Sequence, residues 1–233
     1  MIHIKAPDPR QAEGRRTCET NFWDDTMNKT TLLATAFAFA CAAPSLALAQ
    51  DAGTMTLGLG LGNVMPSSGN GTIIDENTEL DIGDNLRPTI TFEYFIKDNL
   101  GIEVLGALPF KHTIDATGMG EIGTTKHLPP VISLQYHFAV NDVFTPFVGV
   151  GVNYTAFFDE TPKGSIASDD LDLNDSWGVA LHAGFDYKIS EKGAFRTDVR
   201  WIDIDSDVKL NGNKIGEAEI DPWVVGMSYV YTF

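Results

Sequence analysis

The chain ends with Asp221-Pro222-Trp223-Val224-Val225-Gly226-Met227-Ser228-Tyr229-Val230-Tyr231-Thr232-Phe233. From Trp223 onward, large apolar side chains stand at every second position, and smaller or polar side chains stand between them. This period of two indicates a β-strand whose two faces meet different environments. A strand that ends on an aromatic residue and a free carboxylate fits the closing strand of a membrane barrel, whose bulky face contacts lipid. The alternative from this stretch alone is the last strand of a soluble sandwich.

Seven further segments alternate in the same way, so the sequence predicts eight strands. These segments are residues 54–64, 86–96, 100–108, 131–138, 144–158, 177–187 and 195–204. The connections after the first, third, fifth and seventh strands are long, whereas the others are short turns. An immunoglobulin-like sandwich has no reason to alternate in this way. The pattern predicts an all-β protein, an eight-stranded antiparallel up-and-down transmembrane β-barrel with short periplasmic turns and long extracellular loops.

The residues before the first strand contain an export signal. Met27 begins a short basic segment, which is followed by an apolar run of residues 32–43 and by the small-residue site Ala47-Leu48-Ala49. These three features describe a secretory signal peptide. We therefore predict that residues 1–26 are a misassigned N-terminal extension, that residues 27–49 are a signal peptide cleaved after Ala49, and that residues 50–233 form the outer-membrane β-barrel domain.

Composition restricts the classes of partner. The formal net charge is −16, and the predicted cleavage removes as many basic as acidic residues, so the mature chain keeps all of it. Such acidity argues against nucleic acid as a partner. Both cysteines, Cys18 and Cys41, precede the predicted cleavage site, so packing and hydrogen bonding alone must hold the mature domain.

Several composite motifs resemble the OmpW family of outer-membrane proteins, and they span the predicted mature chain in the family's order. They are the segment from Asp98 to His112, His127-Leu128-Pro129-Pro130, the segment from Pro146 to Phe158, Asp175-Ser176-Trp177-Gly178, the segment from Trp201 to Asp205, and Asp221-Pro222-Trp223. The resemblance implies an eight-stranded barrel with a narrow, largely hydrophobic channel. It also implies that the protein moves or binds small hydrophobic molecules, as the alkane-uptake relatives in this group do.

The strand parity predicts which side chains line the lumen. Eight strands leave room for packed side chains or for one small ligand. The apolar lining residues would be Phe95, Leu105, Ala107, Phe147 and Ile202. These residues would favour a hydrocarbon-like solute, or they would simply fill the barrel.

Charged residues share this inward parity. They are Arg87, Glu93, Glu103, Asp186, Arg196, Asp198 and Arg200. Charges in a dry lumen must be paired. We expect Arg196 and Arg200 to bridge to inward carboxylates, with Glu103 and Glu93 as the leading candidates. Arg200 stands where an aromatic side chain would suit a hydrophobic channel, so it argues against an uninterrupted apolar path.

Other residues suggest less specific chemistry. Pro109, Pro129 and Pro130 flank one long connection and cannot donate to a β-ladder, so they either open the wall sideways or merely end strands. Phe233 is the expected assembly signal for the barrel-assembly machinery. The histidines and the acidic segment 169–175 form no motif of a catalytic or metal site. We expect no catalytic, cofactor-binding or metal-binding residues.

The combined interpretation is a channel in the outer membrane of a Gram-negative cell for passive transport of small hydrophobic molecules. Its expected surroundings are outer-membrane lipid and lipopolysaccharide. The alternative is a non-conducting structural or receptor-type barrel whose loops bind envelope partners, phage or bacteriocins.

Overall fold

The computed structural model describes residues 50–74 and 77–233. The predicted extension 1–26, the predicted signal peptide 27–49 and both cysteines lie outside these residues. None of the described residues forms a helix that is long and apolar enough to cross a membrane.

The described chain contains fifteen strands and one 3-10 turn at Gly164–Ile166. In chain order the strands are β1 Met55–Met65, β2 Gly71–Ile73, β3 Leu80–Ile82, β4 Asn85–Lys97, β5 Leu100–Ala107, β6 Phe110–Ala116, β7 Gly120–Leu128, β8 Val131–His137, β9 Phe144–Pro162, β10 Leu171–Leu173, β11 Ser176–Lys188, β12 Gly193–Ile202, β13 Asp205–Leu210, β14 Asn213–Glu219 and β15 Trp223–Thr232.

Eight of these strands close into an antiparallel barrel in the order β1-β4-β5-β8-β9-β11-β12-β15. The last strand pairs back onto the first, from Thr56 opposite Thr232 to Met65 opposite Trp223. This closure removes the exposed edges that an open sheet would present. The predicted eight-stranded up-and-down barrel is therefore confirmed, and each predicted strand coincides with an observed one to within a few residues at its ends.

The outer surface of the barrel is apolar. Leu59, Leu61, Val150, Val152 and Met227 are each about half exposed, and all belong to the bulky parity of their strands. A contiguous exposed surface of this kind would be a liability in water but suits a hydrocarbon solvent. Aromatic residues accompany the band near strand ends, including Trp177 and Trp223.

The long connections are not irregular loops, because they contain the remaining seven strands. β3, β6 and β7 continue the sheet from the far end of β9, while β10, β13, β14 and β2 form a second small sheet. We call these seven strands, together with the end of β9, the extension. Three of them, β2, β3 and β10, have three residues each, which is too few to separate a strand from a loop by periodicity, so the sequence predicts the connections but not the strands within them.

Candidate functional site

The interior of the barrel carries a buried cluster of charges between β4, β5, β11 and β12. We call it the charged cluster; its members are Glu93, Glu103, Asp186, Arg196 and Arg200, all at most 7% exposed. Strand register explains part of it, because Asp186 lies directly opposite Arg196. The same register sets Glu93 opposite Glu103, a like-charge pair that is unfavourable without a cation between its members.

Arg196 supplies that cation. Its Nη1 donates to Glu103 at 3.0 Å and its Nη2 donates to Glu93 at 3.2 Å, while Nε and Nη2 donate to the two oxygens of Asp186 at 2.7 and 2.9 Å. One guanidinium thus holds three carboxylates through its fixed fork of donors. Its Cζ also lies 4.6 Å from the centre of the Phe147 ring.

Arg200 completes the charged cluster. Its Nη2 donates to the second oxygen of Glu103 at 2.7 Å, and the same Nη2 lies 3.8 Å from the Oδ2 of Asp198. The predicted pairing of Arg196 and Arg200 with Glu93 and Glu103 is therefore confirmed. The sequence placed Asp186 on the inward parity but did not single it out as a partner, since cross-strand register decides that contact.

Polar groups around the charged cluster tighten it further. The Nε2 atoms of His137 and Gln135 each lie within 3.2 Å of a Glu93 oxygen. Glycines on the inward face leave the necessary room: a Cβ at Gly101 would collide with Glu93, and a Cβ at Gly149 would collide with His182. Small residues on this face are thus a packing requirement of the lumen.

The charged cluster separates two spaces of different chemistry. At the short-turn end, a polar cavity of about 150 Å³ is lined by Asp186, Lys188 and Arg196 among others. On the opposite side, the interior of the extension is apolar, and we call its buried side chains the extension core. Its members include Leu80, Ile82, Phe110, Ile114, Ile122, Phe157, Leu171, Leu173, Val208 and Ile220.

Two histidines lie in the extension core. His112 and His127 approach each other with 2.9 Å between their Nε2 atoms, and the Nδ1 of His112 lies 2.5 Å from the carbonyl oxygen of Gly83. Burial, and to a lesser extent the neighbouring His112, lowers the pKa of His127 to about 3. Burial also lowers the pKa of His112. Both imidazoles are therefore neutral at neutral pH.

The wall of the barrel is interrupted where it meets the extension. The ladder between β5 and β8 ends with Leu105 opposite Val131, and the ladder between β6 and β7 begins with Phe110 opposite His127. Residues 106–109 and 128–130 lie between the two ladders, and these segments contain Pro109, Pro129 and Pro130. The predicted lateral-opening residues thus lie at one break between neighbouring strands.

The remaining residues predicted from the sequence are the apolar lining residues of the lumen and the terminal Phe233. Phe95, Phe147 and Ile202 are buried inside, at 0–2% exposure, while Leu105 and Ala107 are half-buried and pack against the apolar interior. Phe233 is 65% exposed. Its amide donates to the carbonyl oxygen of Met55, which ties the C-terminus to the first strand.

The sequence did not predict an acidic group at the base of the extension. Asp203, Asp205 and Asp221 bring carboxylate oxygens within 4.8 Å of one another. Burial and the negative charges of Asp221 and Asp203 raise the pKa of Asp205 to about 6. In the acidic segment 169–175, by contrast, Asp175 accepts hydrogen bonds from Tyr154 and from the amide of Phe157.

Known proteins resemble this chain along nearly all of its described length. The profile of the OmpW family matches residues 51–233. Outer membrane protein W of Vibrio cholerae is 36% identical over 183 residues, which is 73% of this chain and 84% of that protein. The crystal structure of OprG from Pseudomonas aeruginosa superposes with a TM-score of 0.70 at 31% identity, over 78% of this chain and 97% of that one. The dibenzothiophene metabolism operon protein PahQ of Pseudomonas aeruginosa is 29% identical over 132 residues, 54% of this chain and 60% of that protein.

Proposed function

This chain belongs to the OmpW family of outer-membrane β-barrels, and from that premise we propose that it is a passive conduit for small hydrophobic molecules. The solute would enter the extension core from outside the cell and leave sideways into the membrane. The observation that carries the proposal is the contrast between the apolar extension core and the charged cluster directly beneath it.

The charged cluster makes a straight path to the periplasm unfavourable for an apolar solute. Such a solute would have to separate Arg196 from three carboxylates without replacing any of the hydrogen bonds that are lost. Leaving buried charges unpaired costs several kcal/mol, and an apolar solute supplies no hydrogen bond that would offset this cost. The extension core, in contrast, offers a solute an environment of its own polarity.

The break in strand pairing at Pro109, Pro129 and Pro130 supports a lateral exit. Proline has no N–H, so these positions cannot donate to a ladder that would seal the wall. The break begins directly after the half-buried Leu105 and includes the half-buried Ala107, and both residues pack against the apolar interior. The relative PahQ, named for a dibenzothiophene metabolism operon, is consistent with an aromatic, apolar solute.

The test is uptake of a hydrophobic fluorescent probe, N-phenylnaphthylamine, into vesicles whose outer leaflet contains lipopolysaccharide. We expect the purified protein to accelerate uptake severalfold over empty vesicles. Substitution of both Pro109 and Pro130 by alanine should reduce the acceleration, because two donors return to the break. Pro162→Ala is the matched control, since Pro162 lies at the far end of β9, and should behave like the wild type.

Two outcomes would contradict the conduit. If the wild type gives no acceleration over empty vesicles, the barrel does not conduct such solutes, and the receptor-type barrel with partner-binding loops becomes the better interpretation. If uptake is accelerated but the proline variants equal the wild type, the solute does not leave through the break.

We also propose that Phe233 is read by the barrel-assembly machinery and that lipopolysaccharide surrounds the extracellular rim. The exposed aromatic ring at the end of β15 supports the first statement. Deleting Phe233 should lower the amount of folded protein in the outer membrane of expressing cells. Phe138→Ala, which removes an exposed ring at the same end of the barrel, is the control.

A further inference from the structure

The extension core contains a buried acceptor atom without a partner. His127 is 1% exposed, and its Nδ1 makes no hydrogen bond among the described residues. A buried polar atom without a partner carries a free-energy cost, and native proteins rarely retain one without a reason. Whether this nitrogen carries a proton or a lone pair follows from the tautomer of the neighbouring His112.

The tautomers follow from the Gly83 carbonyl. A carbonyl oxygen only accepts, so the Nδ1 of neutral His112 carries the proton and donates to it. The Nε2 of His112 then holds a lone pair, and the Nε2 of His127 must donate to it across 2.9 Å. This assignment leaves the Nδ1 of His127 as a bare lone pair.

The surroundings exclude most ways to satisfy that lone pair. His127 stacks on Phe157 at 5.7 Å and contacts Phe110 at 5.5 Å. The adjoining cavity, about 20 Å³, has room for a single water, and within the part of the chain that the structure describes its other polar lining residues are His112 and Thr125. His112 is already hydrogen-bonded. A water in the cavity would donate to the Nδ1 of His127 and to the oxygen of Thr125, whose own hydrogen is donated to the Lys126 carbonyl, so it would have two protein partners, the lower limit for a buried water.

We propose that the extension core binds small apolar molecules that carry one hydroxyl group, and that the hydroxyl donates to the Nδ1 of His127. This inference rests on the proposed function, because it takes the extension core as part of the solute's route. Because His127 is neutral, an anion gains nothing from it, and a pure hydrocarbon leaves the acceptor unsatisfied. The small size of the cavity means that a ligand enters by displacing side chains such as Ile114 and Leu173.

The test compares three ligands of similar shape: 2-naphthol, which donates a hydrogen bond, 2-methoxynaphthalene, which only accepts, and naphthalene. The protein, labelled with ¹⁵N at its histidines, is placed in lipid nanodiscs. Nanodiscs without protein measure how much of each ligand partitions into the lipid. We expect 2-naphthol to bind roughly tenfold more tightly than 2-methoxynaphthalene, which corresponds to one net hydrogen bond. The ¹⁵N resonance of His127 Nδ1 should move upfield with 2-naphthol alone.

Two variants identify the acceptor. His127→Phe keeps an aromatic ring between Phe110 and Phe157 and removes the lone pair, so the preference for 2-naphthol should disappear while naphthalene still binds. Thr125→Val removes the hydroxyl that lines the same cavity and should keep the preference. The resonance measurement needs no variant and therefore decides the matter even if His127→Phe fails to fold.

The outcomes separate this site from the conduit. Equal binding of the three ligands, or an unmoved Nδ1 resonance, overturns the hydroxyl site and leaves the conduit standing. If 2-naphthol moves the resonance in a protein that gives no vesicle uptake, the conduit fails and the site stands. Loss of the preference in Thr125→Val would also overturn the proposal, since the threonine hydroxyl would then be the acceptor.

Discussion

The charged cluster and the extension core both consist of buried, inward-facing side chains, the first in the barrel and the second in the extension, but the two are stabilised in opposite ways. In the charged cluster, Arg196 is 2% exposed and is held by three carboxylates. In the extension core, Ile122 is 1% exposed and packs among other apolar side chains. Apolar side chains can be replaced by other apolar groups of similar volume at little cost. A buried ion pair, in contrast, loses much of its stability when one partner is removed or when an apolar group separates the two. The extension core can therefore admit an apolar solute, whereas the charged cluster can exclude it.

The largest effect should follow from removing the cation that organises the charged cluster. Arg196→Met leaves Glu93, Glu103 and Asp186 buried without their shared partner, which should lower the free energy of unfolding by about 3–5 kcal/mol. Guanidinium titration in detergent micelles measures this change. Lys192→Met is the control, because Lys192 is an exposed cation on the same turn-proximal end, and should shift unfolding by less than about 0.5 kcal/mol. A loss below about 1 kcal/mol in Arg196→Met would mean that the carboxylates do not depend on it.

The next largest effect should come from opening the extension core. Ile122→Ala removes a buried side chain and should cost about 2–3 kcal/mol, at the low end of the usual range because the space beside it is already incompletely filled. Vesicle uptake of the hydrophobic probe should nevertheless increase. A variant that loses stability and also loses uptake would show that solutes do not pass through this region.

The barrel could be predicted from the sequence because its signal is long and repeated. Residues 177–187 alternate over eleven positions, and the observed β11 differs from them by one residue at each end. Lipid on one side and a crowded lumen on the other impose this alternation throughout the strand. The same parity identified the inward-facing charges, and the cost of burying an unpaired charge then predicted that they pair.

The extension could not be predicted in the same way. β10 has three residues, and its partner β13 joins it through register that no local pattern specifies. The contact between His112 and His127 depends on the β6–β7 hairpin, whose pairing shifts register between Ile114 and Asp115. The position of a single histidine in the sequence carries no information about such a contact, so the unpartnered nitrogen is seen only in the three-dimensional structure.

A smaller loss of stability, caused by His127, should appear as the pH falls. The folded pKa of His127 is lowered to about 3 from an unfolded value of 6.5, so its contribution to stability is complete above pH 6.5 and is lost as the pH falls below it. Between pH 6.5 and 5.5 the loss should be at most about 1.4 kcal/mol. Asp205, with a raised pKa of about 6, acts in the opposite direction in the same window.

His127→Phe isolates this contribution, because Asp205 is present in both proteins. The difference in unfolding free energy between wild type and variant, measured in micelles at pH 6.5 and pH 5.5, should shrink as the pH falls. A difference that is independent of pH would mean that His127 is protonated equally in both states.

The smallest effect should come from an ion pair that matches the charged cluster in distance and differs in burial. Lys163 Nζ lies 2.7 Å from Glu121 Oε1, the same distance that separates Arg196 Nε from Asp186 Oδ1. However, both side chains of the first pair are more than 40% exposed. Water already solvates these charges, so Lys163→Met should change the unfolding free energy by less than about 1 kcal/mol, and added salt should reduce even that. An effect as large as that of Arg196→Met would refute the view that burial, and not contact distance, determines how much an ion pair contributes to stability.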